Sequence, residues 1–152
     1  MTYAESIATI LQADTALMAL LTGGVYVYED AGRKGINRVE LVKAFSEQTG
    51  IIKPMLIIYE AQDIPDHQAY NPVTHFQTTR VPIMMWIYDE GEQGYATIDA
   101  AYQLVYLDVD NKQIPLAFQA MYAGALKNKR EPLLNDACYY QVNFNVEAYL
   151  GA

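Results

Sequence analysis

The sequence holds one cysteine, one tryptophan, two histidines and no long apolar run, and each shortage removes a class of explanation. Cys138 stands alone, so no intrachain disulfide can form, which agrees with a reducing compartment. It reads as a small buried apolar residue. The longest apolar runs, residues 55–59 and 81–88, are strand-sized and far short of the roughly 20 residues a membrane helix requires. No membrane span is expected. The first residues show no basic region leading into an apolar stretch with a small-residue cleavage site, so no signal peptide is expected either. Positive charge is scarce as well: ten Lys and Arg stand against eighteen Asp and Glu, a net charge of −8. Nucleic-acid affinity rests on basic side chains that displace counterions, so sequence-specific binding of DNA or RNA is not expected.

Catalytic and cofactor motifs are missing too. His67 and His75 lie eight residues apart with Asp66 the only close carboxylate, too few ligands at too wide a spacing for a metal site, and they read as solvent-exposed loop residues. The run from Asp108 to Asn111 resembles the start of a calcium loop, but Gln113 and Gln119 occupy the positions where that loop needs glycine and glutamate. Gly23-Gly24 lacks the Lys-Ser/Thr of a nucleotide P-loop. No Gly-x-Ser-x-Gly elbow is present, and the two serines, Ser6 and Ser46, are far in sequence from either histidine. Asp89, Glu90 and Glu92 surround glycines in a turn before a helix, where negative charge suits the helix dipole. The chain is therefore expected to bind and assemble rather than catalyse, without a cofactor.

Against these shortages stand thirteen tyrosines. Tyrosine joins a large apolar body to a polar tip, which suits both a core edge and a surface covered on assembly. At 152 residues the chain fits one domain, 1–152, large enough to bury a core. Residues 3–21 read as two short helices, with Ile7, Ile10 and Leu11 on one stripe and Leu17, Leu20 and Leu21 on the next; Asp14 caps the second and Gly23-Gly24 stops it. Residues 25–28 suit a strand. Residues 37–48 fit a short helix capped by Asn37 or an irregular excursion equally well.

The runs 55–59 and 81–88 are apolar at both odd and even positions, so both faces of their sheet need cover, and one helix layer covers one face. Pro82 removes a ladder donor and belongs at an edge or beside a bulge. Residues 60–79 read as a long structureless connection, the kind that serves binding. Residues 95–107 form the clearest helix, with Ile98, Ala101, Tyr102 and Val105 at the helical period and Gly94 before it. Residues 115–122 read as a strand and 127–136 as a charged loop. Alternation from Cys138 to Ala148 marks a final strand with one buried and one wet face. The order implies an α+β fold, a mostly antiparallel sheet of four to five strands packed against two or three helices.

Three stretches resemble a known family. Ile7–Asp14, Leu17–Leu21 and Gly23–Tyr26 look like the start of the tail terminator (tail completion) proteins of long-tailed bacteriophages. Ala44-Phe45 and Gly50–Pro54 leading into Met55–Tyr59 look like the segment before that family's second strand. Gly94-Tyr95, Ile98–Ala101 and Val105-Tyr106 look like its long helix. The resemblance implies a virion protein of the tail or neck, assembled in the host cytoplasm. Such a subunit forms a six-membered ring with its own copies, ends the tail tube and meets the tube protein and the head-completion or connector proteins, while DNA passes through without specific binding. On that reading the partner-contact candidates are Asp66, His67, Tyr70 and His75 in the 60–79 connection and Lys127, Lys129 and Arg130 in the charged tract. Two alternatives share the pattern: another neck or tail-tube component, and a small cytoplasmic enzyme or ligand-binding domain.

Overall fold

A computed structural model describes residues 2–27, 42–60, 64–71, 76–89, 95–115, 117, 119–132 and 137–149; for residues 42, 59, 64–71, 76–80, 148 and 149 it describes the backbone alone. Helix α1 (Tyr3–Gln12) begins in a capping box: the Thr2 hydroxyl accepts from the Glu5 amide and the Glu5 carboxylate from the Thr2 amide. The pattern Thr-x-x-Glu just before an apolar run carries that signal in the sequence. Glu60, at the end of a neighbouring strand, accepts from the Ala4 amide at 2.9 Å, placing a carboxylate at the positive end of the helix dipole. Helix α2 (Thr15–Leu20) is capped by Asp14, whose side chain accepts from the Ala16 and Leu17 amides.

The glycine pair that follows works differently from a helix stop. Leu21 is the C-cap of α2 and has negative φ. A Cβ on Gly23 would meet the Pro54 carbonyl at 2.9 Å and the Met55 Cβ at 3.0 Å, and Gly24 has φ +98°. Both therefore serve the entry to strand β1 (Gly24–Val27). That strand pairs in parallel with β2 (Met55–Glu60), Gly24 opposite Met55.

Strands β4 (Phe76–Asp89) and β6 (Ala137–Tyr149) form the antiparallel centre of the sheet, with β5 (Gln119–Glu131) outside β6. The order is β1-β2-β4-β6-β5, and a sixth strand, β3 (Ile64–Asn71), pairs with the first part of β4. Five strands side by side, a sixth off that path and three α-helices among the described residues make the expected α+β, mostly antiparallel fold. Helix α3 (Tyr95–Val109) runs two residues past the expected end.

Three expectations are corrected. Much of the connection expected over 60–79 is strand: β3 lies antiparallel on β4, with Ile64 opposite Arg80 and Asn71 opposite Phe76. The charged tract is largely strand too, since β5 continues through Lys127, Lys129 and Arg130 to Glu131 rather than ending near Tyr122. Pro82 departs from its expected place at an edge or bulge: it lies inside β4, an interior strand, opposite Asn145 in an unbroken register with β6. On its other side it falls between the last β2 partner, Ile83, and the first β3 partner, Arg80, where no ladder pair is formed among the described residues, so its missing N–H costs no bond there. Of the uncertain segment, residues 37–41 lie outside the described residues, as do Gly94, Glu90 and Glu92. Val42–Ala44 form one 3-10 turn, and Phe45 bridges to Ile52.

The main core lies between the helices and one sheet face. Ile7, Leu11 and Leu17 meet Leu56, Ile58, Val81, Ile83, Met85 and Ile87, and Ile98, Ala101 and Val105 of α3 meet Val142, Phe144 and Val146. The helical and strand periods bring these residues to a common layer.

Candidate assembly surface

The sheet's other face is built by the alternate residues of the same strands. Across β2, β4, β6 and β5 the register sets Ile57, Trp86, Gln141 and Leu126 in one row, and Met55, Tyr88, Tyr139 and Lys129 in the row beside it. Further along, Met84 opposes Asn143, and Pro82 opposes Asn145, which opposes Met121. Own-chain cover exists at one end. Ala44, Phe45 and Ile52 pack on Met55, Ile57, Tyr88 and Ala137, and Tyr26, Trp86 and Tyr139 rim this second cluster. The expectation that the 55–59 strand needs a second subunit on its far side is corrected for Met55–Ile58, all of which are buried.

The rest of that face is wetter. Pro82, Met84 and Trp86 are half-buried, and Met121 and Leu126 stay 41% and 51% exposed. The amide of Gln141 donates to Asn143 Oδ1 at 3.1 Å and lies 3.6 Å from the Met84 sulfur. This half of the sheet therefore offers apolar side chains interleaved with amides, the mixture found on surfaces that are wet alone and covered in an assembly.

Tyrosines dominate the corner where α3 meets the β5–β6 hairpin. The Tyr102 and Tyr122 hydroxyls are 2.7 Å apart, and Tyr140 donates to Asp99 at 3.3 Å. Tyr106 meets Tyr122 edge-on at 4.9 Å between centroids, and Tyr95 stacks on Tyr140 at 6.0 Å. Burial, then the Tyr102 hydroxyl, pushes the Tyr122 phenol up to about 12; burial, then Asp99, raises that of Tyr140. Phenols so placed stay protonated and serve as hydrogen-bond donors. These five tyrosines hold the chain's own core edge together, in accord with one of the two roles read from composition.

The cations of β5 rest on this cluster. The Lys127 ammonium sits 4.4 Å from the Tyr102 ring centre and 5.8 Å from that of Tyr140, and the Arg130 guanidinium lies 5.8 Å from that of Tyr95. The Tyr95 hydroxyl donates to the Lys129 carbonyl at 3.1 Å. All three basic side chains remain exposed. Of the other contact candidates, Asp66, His67 and Tyr70 fall on β3 as backbone positions, and His75 lies outside the described residues. The structure thus brings Lys127, Lys129 and Arg130 together on one strand and puts Asp66, His67 and Tyr70 on another.

Sequence reasoning missed the 42–53 cover, the tyrosine seats of the cations and a carboxylate pair. Burial first, then Asp14, pushes the Asp108 carboxyl up to about 7, while the bond to Asp108 holds that of Asp14 below the ordinary range. Oδ2 of Asp108 is buried without a partner that a charged carboxylate could accept from. A second carboxyl group close by disfavours the charged form of a buried one, so Asp108 is the member of the pair that keeps its proton longer as pH rises. Asp110 has a different task from calcium ligation: its Oδ1 accepts the Tyr122 amide at 2.8 Å, and Asn111 turns the chain with φ 61°. Among the described residues no group of three or more His, Cys, Asp or Glu is placed to hold a metal ion. A shallow open pocket of about 450 Å³ is lined by polar residues including Lys43, Glu47 and Lys53.

No protein-family model matches the sequence. No curated protein matches it either. The fold is that of a chain in a solved structure described as the virion of a native gene transfer agent (GTA) particle, with a TM-score of 0.63, 14% identity, and coverage of 97% of this chain and 94% of that one. At that identity the likeness is one of fold, and it runs nearly the whole length of both chains.

Proposed function

We propose that this chain is a structural, non-enzymatic virion protein of a phage-like particle, a tail terminator subunit that forms a ring, on this reading of six copies, at the end of the tail tube. The ring stops tube growth and offers a face to the head-completion or connector proteins. The observation that carries the reading is the end-to-end fold likeness to a chain of the gene transfer agent virion. It agrees with the sequence resemblance of the helix pair, the second strand and the long helix to the terminator family.

The sheet supports the assembly part of this reading. Its far face is closed by the chain's own residues around Met55 and Tyr88 and left half-open from Trp86 to Met121. A ring subunit needs two different lateral surfaces that meet head to tail. The hairpin of β3 and β4 supplies an arm for tube or connector contact: its last pair, Asn71 with Phe76, lies beyond Thr78 and Tyr149, the last β4–β6 pair among the described residues. Asp66, His67, Tyr70 and His75 belong to that arm by sequence. Deleting residues 65–75 leaves the core strands intact on this reading and abolishes tail joining; a deletion variant that joins tails normally refutes the role given to the arm.

Electron microscopy of the purified protein, alone and with tail tubes, tests the function. Single or double rings, and rings seated at tube ends, are expected. Long self-assembled tubes would instead identify a tube protein. Particles that remain solitary, with no affinity for tubes, would overturn the proposal.

A further inference from the structure

The outer edge of β5 concentrates the chain's scarce positive charge. Three of the ten basic residues lie within Lys127–Arg130, so the remaining chain sets seven basic residues against all eighteen acidic ones. These cations are held in place by the rings of Tyr102, Tyr140 and Tyr95 beneath Lys127 and Arg130, which lowers the entropy lost when they meet a partner. Lys129 pairs with Tyr139 and so belongs to the opposite face, giving the edge cations on both sides.

The same edge is built against simple strand addition. Its register on β6 slips twice, between Tyr122 and Gly124 and between Leu126 and Lys129. Gly124 and Asn128 carry positive φ there, 114° and 58°. Paired bulges break the even row of amides and carbonyls that another strand would need. What the edge presents is side chains: the cations, with Leu126 and Met121 exposed beside them.

We infer that the β5 edge docks, through Lys127, Lys129 and Arg130 and the neighbouring Leu126 and Met121, on an acidic surface of a second copy of this chain. Charge complementarity names the occupant, since the chain outside this short basic tract has an acidic balance, seven basic against eighteen acidic residues, that a second copy brings to the contact. The contact is heterologous, edge to different surface, and such contacts close into rings when the rotation allows. The inference rests on the ring reading above and specifies one of its two lateral surfaces.

Sedimentation velocity of the full chain, at low salt and at about 1 M salt where the screening length falls to about 3 Å, tests it. Wild-type protein is expected to self-associate at low salt and to weaken at high salt. The variant K127E/K129E/R130E is expected to associate about tenfold more weakly or worse, whereas K43E/K53E/K112E, with an equal change of net charge, associates as wild type. A thermal melt accompanies each variant. Should the glutamate variant fail to fold, K127Q/K129Q/R130Q takes its place with the same expected loss. Undiminished association of the tract variants overturns the docking edge, and rings still seen by microscopy in those variants would leave the virion function standing. Wild-type protein that stays monomeric, or that binds a short random DNA duplex through this tract without self-associating, overturns the inference.

Discussion

The two faces of the sheet share their strands and differ in almost everything else. On the helix side, Val81, Ile83, Met85 and Ile87 of β4 are fully buried and belong to one core with side chains of all three helices. On the other side the alternate residues of the same strand pass from buried Tyr88 to half-buried Trp86, Met84 and Pro82. A strand's period of two makes such asymmetry possible within one sequence, each parity answering to its own environment. The helix face carries the stability of the isolated subunit, and the far face is where stability was left incomplete. Mutational costs should therefore fall sharply from one face to the other.

Phe144→Ala gives the largest effect. The ring is fully buried on the helix side, with Tyr122 edge-on at 5.7 Å, and its loss should cost about 3–5 kcal/mol, read as a large drop in midpoint on chemical denaturation. Trp86→Ala, three strand positions from the Ile83 that opposes Phe144 and on the other face, should cost only about 1–2 kcal/mol because the indole is half in water already. If the two substitutions cost the same in a monomeric preparation, the contrast between the faces is false.

The carboxylate pair sharpens the comparison on the helix side by way of pH. An unfolded Asp titrates near 4, whereas folded Asp108 is pushed up to about 7. The folded state holds this proton more tightly, so its contribution is complete below the unfolded value and is lost as pH rises toward about 7. Asp14, held low, has the opposite sign and loses its contribution only as pH falls below the ordinary carboxylate range. Asp108→Asn keeps a donor toward Asp14 without the titration. At pH about 8 the variant should exceed wild type by about 1 kcal/mol, a figure reduced for solvent screening, and the two should converge as pH falls to about 4. A difference between their melting temperatures that does not change with pH would disprove the raised Asp108 carboxyl.

Legibility in the sequence followed side-chain burial. The alternation from Cys138 to Ala148 and the helical period from Ile98 to Val105 were readable because one parity of the strand, from Cys138 to Val146, and one stripe of the helix are uniformly buried. Asp14 was readable as a cap because its chemistry is local. Strand β3 was hidden: Pro65, Asp66, His67 and Gln68 have no apolar period, and the strand is defined by pairing to β4. The Lys127–Glu131 end of β5 was hidden for a related reason, since an exposed edge strand keeps charged residues on both faces. The cover over Met55 and Ile57 depends on Phe45 and Ile52 meeting across a turn, a contact no local pattern announces. At the candidate surface, Lys127, Lys129 and Arg130 were legible as a cluster, but the tyrosines that seat them lie far away in sequence on α3 and β6.

Leu126→Ser should have the smallest effect on the subunit and the most telling one on its assembly. Leu126 is half-exposed at the open end of the far-face row, opposite Gln141 and beside the first of the edge cations. Its side chain already pays most of its hydration cost in the monomer, so the serine variant should melt within about 0.5 kcal/mol of wild type. If a second subunit covers this edge, the same side chain becomes buried on association and its loss removes apolar area from the contact, roughly 1 kcal/mol or more. Thermal unfolding and self-association measured on one preparation separate the two. A variant that melts well below wild type would mean that Leu126 belongs to the subunit's own core, and the boundary between closed and open halves of the far face would then have to move past β5.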